Sequence, residues 1–278
     1  MSAILVRQIR YMKDGKVLDE VKSYTAFRKI SSKRDANGIM RMQLNNKNLF
    51  QYGPLDQGWW PDGLYTAPTD EALLYDIVKT KDWGFNMIRK HVKVEPARWY
   101  YHCDKEGILV WQDMPSGDMG NQWAPHTYNG GTDKERSSAS IANYYQEWKE
   151  IMDLCVSHPS VVVWVPFNEA WGQFDTEKVA EWTKNYDPSR LVNPASGGNH
   201  RHNYPGPSMF LFDPQRVTVL GEYGGIGLPL ENHLWWNKRN WGYVQFKNSD
   251  EVTAEYVKYA NELKEMVDRG FSAAVYTQ

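Results

Sequence analysis

Two carboxylates hold the strongest chemical signal in the sequence. Glu169 lies in the stretch Val161 to Gly172, in which Val-Val-Val-Trp-Val runs into Pro-Phe-Asn-Glu-Ala-Trp-Gly. Its apolar residues do not alternate with polar ones, the pattern of a strand covered on both faces of a parallel sheet. Glu222 follows a second apolar strand, Val217 to Leu220, within Gly221-Glu222-Tyr223-Gly224-Gly225. Both thus stand at carboxyl ends of strands, where parallel α/β sheets handle ligands. Either glutamate alone reads equally well as a residue capping a loop. If the strands close into a barrel, however, both face one mouth. Such a pair supplies what cleavage of a glycosidic bond needs: a protonated carboxyl to release the leaving oxygen, and an ionised one to attack. Mutual repulsion pushes their pKa values apart, so one pair can fill both roles.

The elements that must position this pair follow from the periodicity. From Met40 onward strands alternate with helices, which signals a parallel sheet. A first strand ends at Phe50-Gln51-Tyr52-Gly53, and the loop from Pro54 to Pro68 carries Trp59, Trp60 and Tyr65. Asp70 and Glu71 open a helix that Gly84 stops, and Phe85 to Ile88 form a second strand. That strand ends in Arg89-Lys90-His91, a cationic cluster at another carboxyl end, or else a solvated loop. Pro96 to Gly107 reads as a helix, Ile108 to Trp111 as a third strand followed by Gln112-Asp113. A loop through Trp123 and His126 then leads to a helix over 138–157 before the strand of Glu169. A helix from Asp175, a fifth strand over 190–195, an amphipathic helix over 250–269 and a last strand over 271–276 complete the pattern.

These elements predict a TIM (β/α)8 barrel over residues 37–278. Irregularity is expected around strands five and six, because only residues 198–203 separate Gly197 from Tyr204, whereas a parallel crossover takes about a dozen. The final helix of such a barrel is expected to be lacking after Gln278, leaving apolar surface through which copies could associate. Residues 1–36 read as a β-hairpin left from a β-sandwich, with Asp14-Gly15 as a tight turn. The segment from Ser31 to Ile39 reads as the boundary.

A chain of 278 residues accommodates one barrel and a small appendage. The formal net charge of -2, with no long run of one sign, argues against nucleic-acid or membrane-surface partners. No apolar run reaches the roughly 18 residues of a membrane span, and no signal peptide opens the chain. Cys103 and Cys155 lack metal-ligand spacing, the histidines are scattered, and neither metal nor cofactor is expected. The 13 Trp and 17 Tyr exceed the needs of a core, and such rings stack on the C–H faces of sugars.

Taken in order, several segments resemble the barrel domain of glycoside hydrolase family 2, the β-galactosidase, β-glucuronidase and β-mannosidase group. They are Trp83-Gly84-Phe85-Asn86-Met87-Ile88-Arg89 with His91, Gly107-Ile108-Leu109-Val110-Trp111, His158-Pro159-Ser160-Val161, Asn168-Glu169 and Gly221-Glu222-Tyr223-Gly224. The resemblance covers about residues 40 to 278. It implies a retaining double displacement on a terminal β-glycoside, foremost a β-galactoside with a β-mannoside or β-glucuronide as the alternatives, with Glu169 as acid/base and Glu222 as nucleophile. It further implies that Asn168 binds the sugar 2-hydroxyl and that Arg89 lies beneath the nucleophile and holds it ionised. His91 and Asp113 would be sugar contacts or supports, Trp171 a substrate contact, and Tyr204 a neighbour of the nucleophile. The hairpin would be the end of the family's immunoglobulin-like domain. By the same resemblance the chain would be truncated at both ends, either an inactive remnant that still binds saccharide or part of a parent enzyme that is periplasmic or secreted.

Overall fold

The computed structural model describes residues 4–118, 120, 131–197, 201–208, 213–234, 236–238 and 240–277. Eight strands form one sheet. The first to eighth are Gln51–Asp56, Met87–Lys90, Leu109–Asp113, Val161–Val165, Leu191–Val192, Arg201–Asn203, Thr218–Gly224 and Phe271–Thr277. Their spatial order is fifth, fourth, third, second, first, eighth, seventh, sixth, and every neighbouring pair is parallel. That is the circular order of a TIM barrel, with the fifth and sixth strands as the two edges of a seam. Phe167–Asn168 and Ala195–Ser196 form a further parallel pair that prolongs the fourth and fifth strands towards their carboxyl ends.

Alternation along the strands divides the side chains between two environments. Ile88, Val110, Val161 and Trp164 point outward and pack against helix residues such as Leu73, Ile77, Trp99 and Trp148. Met87, Trp111, Val163, Val165, Val219 and Val275 point inward and fill the barrel. The helices are α1 (Asp70–Asp82), α2 (Ala97–Glu106), α3 (Ser138–Cys155), α4 (Thr176–Tyr186) and α5 (Ser249–Arg269). Thr69 caps α1 through Ala72 N, Ser137 caps α3 through Ser140 N, and Asn248 caps α5 through Glu251 N, each satisfying a donor that the first turn leaves free. Among the described residues no helix lies between the fifth and seventh strands, and none is long and apolar enough to cross a membrane.

The amino-terminal part differs in detail from the expected hairpin. Ile4–Lys13 and Lys16–Ala26 pair antiparallel about Asp14 and Gly15, both with positive φ as a tight primed turn requires. Ile30–Arg34 belongs instead to a separate antiparallel sheet with Met40–Leu44 and Lys47–Asn48, and residues 35–39 make its turn. Met40 therefore does not begin the alternating pattern; that begins at Gln51, and the first strand runs on through Pro54 to Asp56. Ile30 and Met42 enter the inner cluster, so this small sheet closes the amino-terminal end of the barrel. Arg41 ties it to the eighth strand through the carbonyl of Phe271 at 2.7 Å.

Candidate active site

At the opposite end one guanidinium joins four parts of the barrel. Arg89, at 0% exposure, extends from the second strand towards the mouth. Its Nε and Nη2 donate to both oxygens of Asp113 at 3.1 and 2.8 Å, its Nη2 also to Asn168 Oδ1 at 2.7 Å, and its Nη1 to Glu222 Oε1 at 2.8 Å. Bidentate geometry of this kind is what an arginine fork offers and a lysine does not. Burial alone would weaken the cation, but Asp113 and Glu222 more than offset it and hold Arg89 charged. Asp113 is pushed up by its own burial and pulled down further by Arg89 and His91, so it stays ionised. His91 Nδ1 lies 3.1 Å from Asp113 Oδ2. Asp113 thus spends its oxygens on supporting Arg89 and His91, while the Nδ2 of Asn168 is buried without a hydrogen-bond partner.

Glu222 reaches this cluster through a break in strand alternation. Val219 belongs to the inner cluster, whereas Leu220 and Tyr223 face outward among the residues around α5. Strict alternation would send residue 222 outward with Leu220. The pairing with the eighth strand shifts between Leu220 and Tyr223, and this irregularity turns Glu222 inward. Its Oε2 accepts a hydrogen bond from Tyr204 Oη. Burial and the charge of Glu222 push the Tyr204 phenol up, so it remains a donor. The Tyr204 ring stacks on Tyr243 at 3.8 Å. Gly224 and Gly225 let other parts of the chain pack closely against the backbone. A Cβ at Gly224 would lie 2.5 Å from Thr277 O, and one at Gly225 would lie 2.2 Å from Tyr243 Cδ2.

Glu169 occupies a turn with φ of +47°, followed by Ala170 at +66°, a left-handed pair that non-glycine residues adopt where surroundings impose it. Two bonds fix that turn: Glu169 N donates to Ser196 O at 2.8 Å and Trp171 N to Asn168 O at 2.7 Å. Glu169 Oε1 lies 2.7 Å from His202 Nδ1, and His202 Nδ1 lies 3.4 Å from Glu222 Oε2. Burial raises the Glu169 carboxyl, but the His202 hydrogen bond and charge, with Arg89 and His91, more than cancel it and leave it lowered. Donor atoms of Glu169, His202 and Glu222 all lie within 4.8 Å of one another. The imidazole is therefore not remote from the carboxylates, as the scattered histidines had implied. Its Nδ1 is engaged by Glu169, and both oxygens of Glu222 by Arg89 and Tyr204. Hydrogen bonding and the adjacent guanidinium, more than metal ligation, describe this cluster.

Of the residues singled out in the sequence, Glu169, Glu222, Asn168, Arg89, Asp113 and Tyr204 converge at the mouth, linked in part through Arg89 and His202. His91 joins them through Asp113, and the Trp171 ring lies 5.8 Å from that of His91. Trp123 and His126 lie outside the described residues. Sequence reasoning passed over His202, Ser196 and Tyr243. The signal for His202 was its two-residue spacing from Tyr204, which places both on one side of an extended segment.

Fold and cluster together define a class: a TIM barrel carrying a carboxylate pair, an arginine and an asparagine at the carboxyl ends of its strands. Residues 42–204 match the TIM barrel domain of glycosyl hydrolases family 2, and the chain belongs to that family. It is 30% identical over 215 residues to a putative β-glucuronidase of Formosa agariphila, covering 76% of this chain and 18% of that protein. It is 28% identical over 160 residues to a β-galactosidase of Vibrio vulnificus, covering 58% of this chain and 15% of that protein. The chain thus matches less than a fifth of the length of these relatives. Its fold resembles a β-glucuronidase of Parabacteroides merdae with a TM-score of 0.65 at 16% identity, over 99% of this chain and 36% of that one.

Proposed function

We propose that this chain is the catalytic barrel of a retaining β-glycosidase acting by double displacement. The observation that carries the proposal is the carboxylate pair, with one oxygen of Glu169 within 4.8 Å of one of Glu222, beside an arginine that bonds Glu222 and not Glu169. Carboxyl groups about 5 to 5.5 Å apart suit retention, and the wider spacing of inverting enzymes would leave room for a water. In the first step Glu222 attacks the anomeric carbon while Glu169 gives its proton to the departing oxygen. In the second, Glu169 takes a proton from water, which displaces Glu222 and releases the sugar with its configuration kept. Arg89 and Tyr204 stabilise Glu222 as the ionised nucleophile and as the leaving carboxylate. The unpartnered Nδ2 of Asn168 is proposed to donate to the sugar 2-hydroxyl.

The sugar proposed is a β-galactoside. A uronate would call for a cation dedicated to its carboxylate. Among the described residues the buried cations Arg89, Lys90 and Lys93 at this end are already committed, Arg89 as described, Lys90 to Asp56 and Glu95, and Lys93 to Glu95. This favours a neutral sugar. The hairpin over 4–26 is proposed to be part of an immunoglobulin-like module, because apolar residues such as Val6 and Ile9 stand exposed on it at 74% and 62%.

A 2-fluoro galactoside with an activated leaving group tests the assignment. Mass spectrometry of peptides should find the sugar on Glu222, and an adduct on another residue, or none with any common sugar, would remove Glu222 as nucleophile.

A further inference from the structure

Double displacement leaves one buried group at the mouth without a task. The His202 side chain, at 0% exposure, sits beside both carboxylates and closer to Glu169 than to Glu222. Its other nitrogen, Nε2, lies 2.8 Å from Ser196 Oγ. Ser196 also accepts the backbone N–H of Glu169 through its carbonyl. One serine at the end of the fifth strand therefore fixes both the turn that carries Glu169 and the ring that meets its carboxyl. With Nε2 held in this way, the ring aims Nδ1 at the pair.

The two carboxylates consequently have partners of different kinds. Glu222 is paired with Arg89, a cation that keeps its charge throughout the working range of any enzyme. Glu169 is paired with an imidazole, a group able to gain or lose charge near neutrality. A nucleophile must remain ionised, so a permanent cation suits it. An acid/base must be protonated in one step and ionised in the next, and a permanent cation would hold it in a single state.

We infer that His202 is a positioning residue for Glu169, fixing its carboxyl at the mouth and setting the pH above which that carboxyl can no longer donate a proton. The inference rests on the reading of Glu169 as acid/base. Other charged or titratable groups bear on the same carboxyl: Glu222 from the seventh strand, Arg89 and His91 from the second strand and its end, and Tyr243. Tyr204 and Asp113 act on it through Glu222 and Arg89. Among those that lower Glu169, His202 contributes most, so its removal moves the carboxyl upward.

Two variants separate hydrogen bond from charge. His202→Asn places an amide N–H near the position of Nδ1 without a titratable charge, and His202→Leu removes donor and charge together. The Glu169 carboxyl is followed by NMR in protein carrying 13C-labelled glutamate, with Glu169→Gln supplying the assignment. Its midpoint should rise by about one pH unit in His202→Leu and by less in His202→Asn. For an aryl glycoside with a poor leaving group, the alkaline limb of kcat/KM should rise in parallel. A dinitrophenyl glycoside, which needs no acid, should show no matching shift of its alkaline limb. A Glu169 midpoint unchanged in both variants would overturn the inference. If the parent protein hydrolyses no glycoside but the midpoint still moves, the glycosidase reading falls and the coupling of His202 to Glu169 stands.

Discussion

The two sides of the barrel are built differently. Strands one to four are joined by α1, α2 and α3, and strands four and five by α4, each with an apolar face on the sheet. On the other side the fifth strand has two residues and the sixth has three, with no helix between the fifth and seventh among the described residues. The first side is held by backbone ladders and layered packing. At the seam, side chains take over: Ser196 meets His202 across it, and Arg190 anchors the start of the fifth strand to the carbonyls of Val161 and His158 at 2.8 and 3.0 Å. The proposed acid/base belongs to the first side and the nucleophile to the second; the backbone ladder joins them through strands one, eight and seven, and side-chain ties join them across the mouth. Arg89 is the chief of these.

Breaking that tie should have the largest effect. Arg89→Met leaves Asp113 and Glu222 as buried carboxylates without their cation, a change that typically costs about 3–5 kcal/mol. Thermal unfolding should shift down accordingly, and the yield of Glu222 adduct should fall with it, because an uncompensated buried carboxylate takes up a proton and ceases to attack. An unchanged midpoint would mean that the two sides are held together elsewhere. Tyr204→Phe probes the second side alone. It removes one hydrogen bond to Glu222 and keeps the ring stacked on Tyr243. Glycoside turnover should drop about 10- to 100-fold with little change in stability, since removing one donor to a charge developed in the reaction has effects of that order or somewhat larger. A large loss of stability instead would make Tyr204 a structural strut of the seam.

The same contrast explains what could be read from sequence. Strands such as 161–165 and 108–111 announce themselves because unbroken apolar runs beside amphipathic helices leave few alternatives, and Glu169 and Asp113 come with them. The sixth strand is too short to show a period, so His202 passed as part of a loop although it lies against Glu169. The inward turn of Glu222 depends on a pairing shift between Leu220 and Tyr223, which no alternation rule predicts. Ser31 to Arg34 looked like a polar boundary because three of its four side chains are exposed in the sheet that closes the barrel's other end. Its contribution to the core is a single residue, Ile30, and one inward side chain is too weak a signal for a strand.

Asp187 offers a smaller and more specific test of the first side, where α4 hands over to the fifth strand. Its Oδ2 accepts from Trp164 Nε1 at 2.9 Å and from Arg190 Nη1 at 2.7 Å, tying the fourth strand to the residue that anchors the fifth. Burial raises its carboxyl, but Ser189, Arg190 and Trp164 together bring it down to about 2. A carboxyl lower in the folded than in the unfolded chain stabilises the fold above its unfolded value of roughly 4, and this contribution disappears as the pH falls through about 2. Asp187→Asn should therefore destabilise by about 1–2 kcal/mol at pH 7, with the difference from the parent narrowing as the pH falls from roughly 4 to about 2. Denaturant unfolding at neutral pH and through that acid range measures it. Because the site lies away from the mouth, the Glu169 titration midpoint should stay where it is. A shift in that midpoint would show that the fifth strand transmits strain to Ser196 and His202, and that the two sides are less independent than their construction implies.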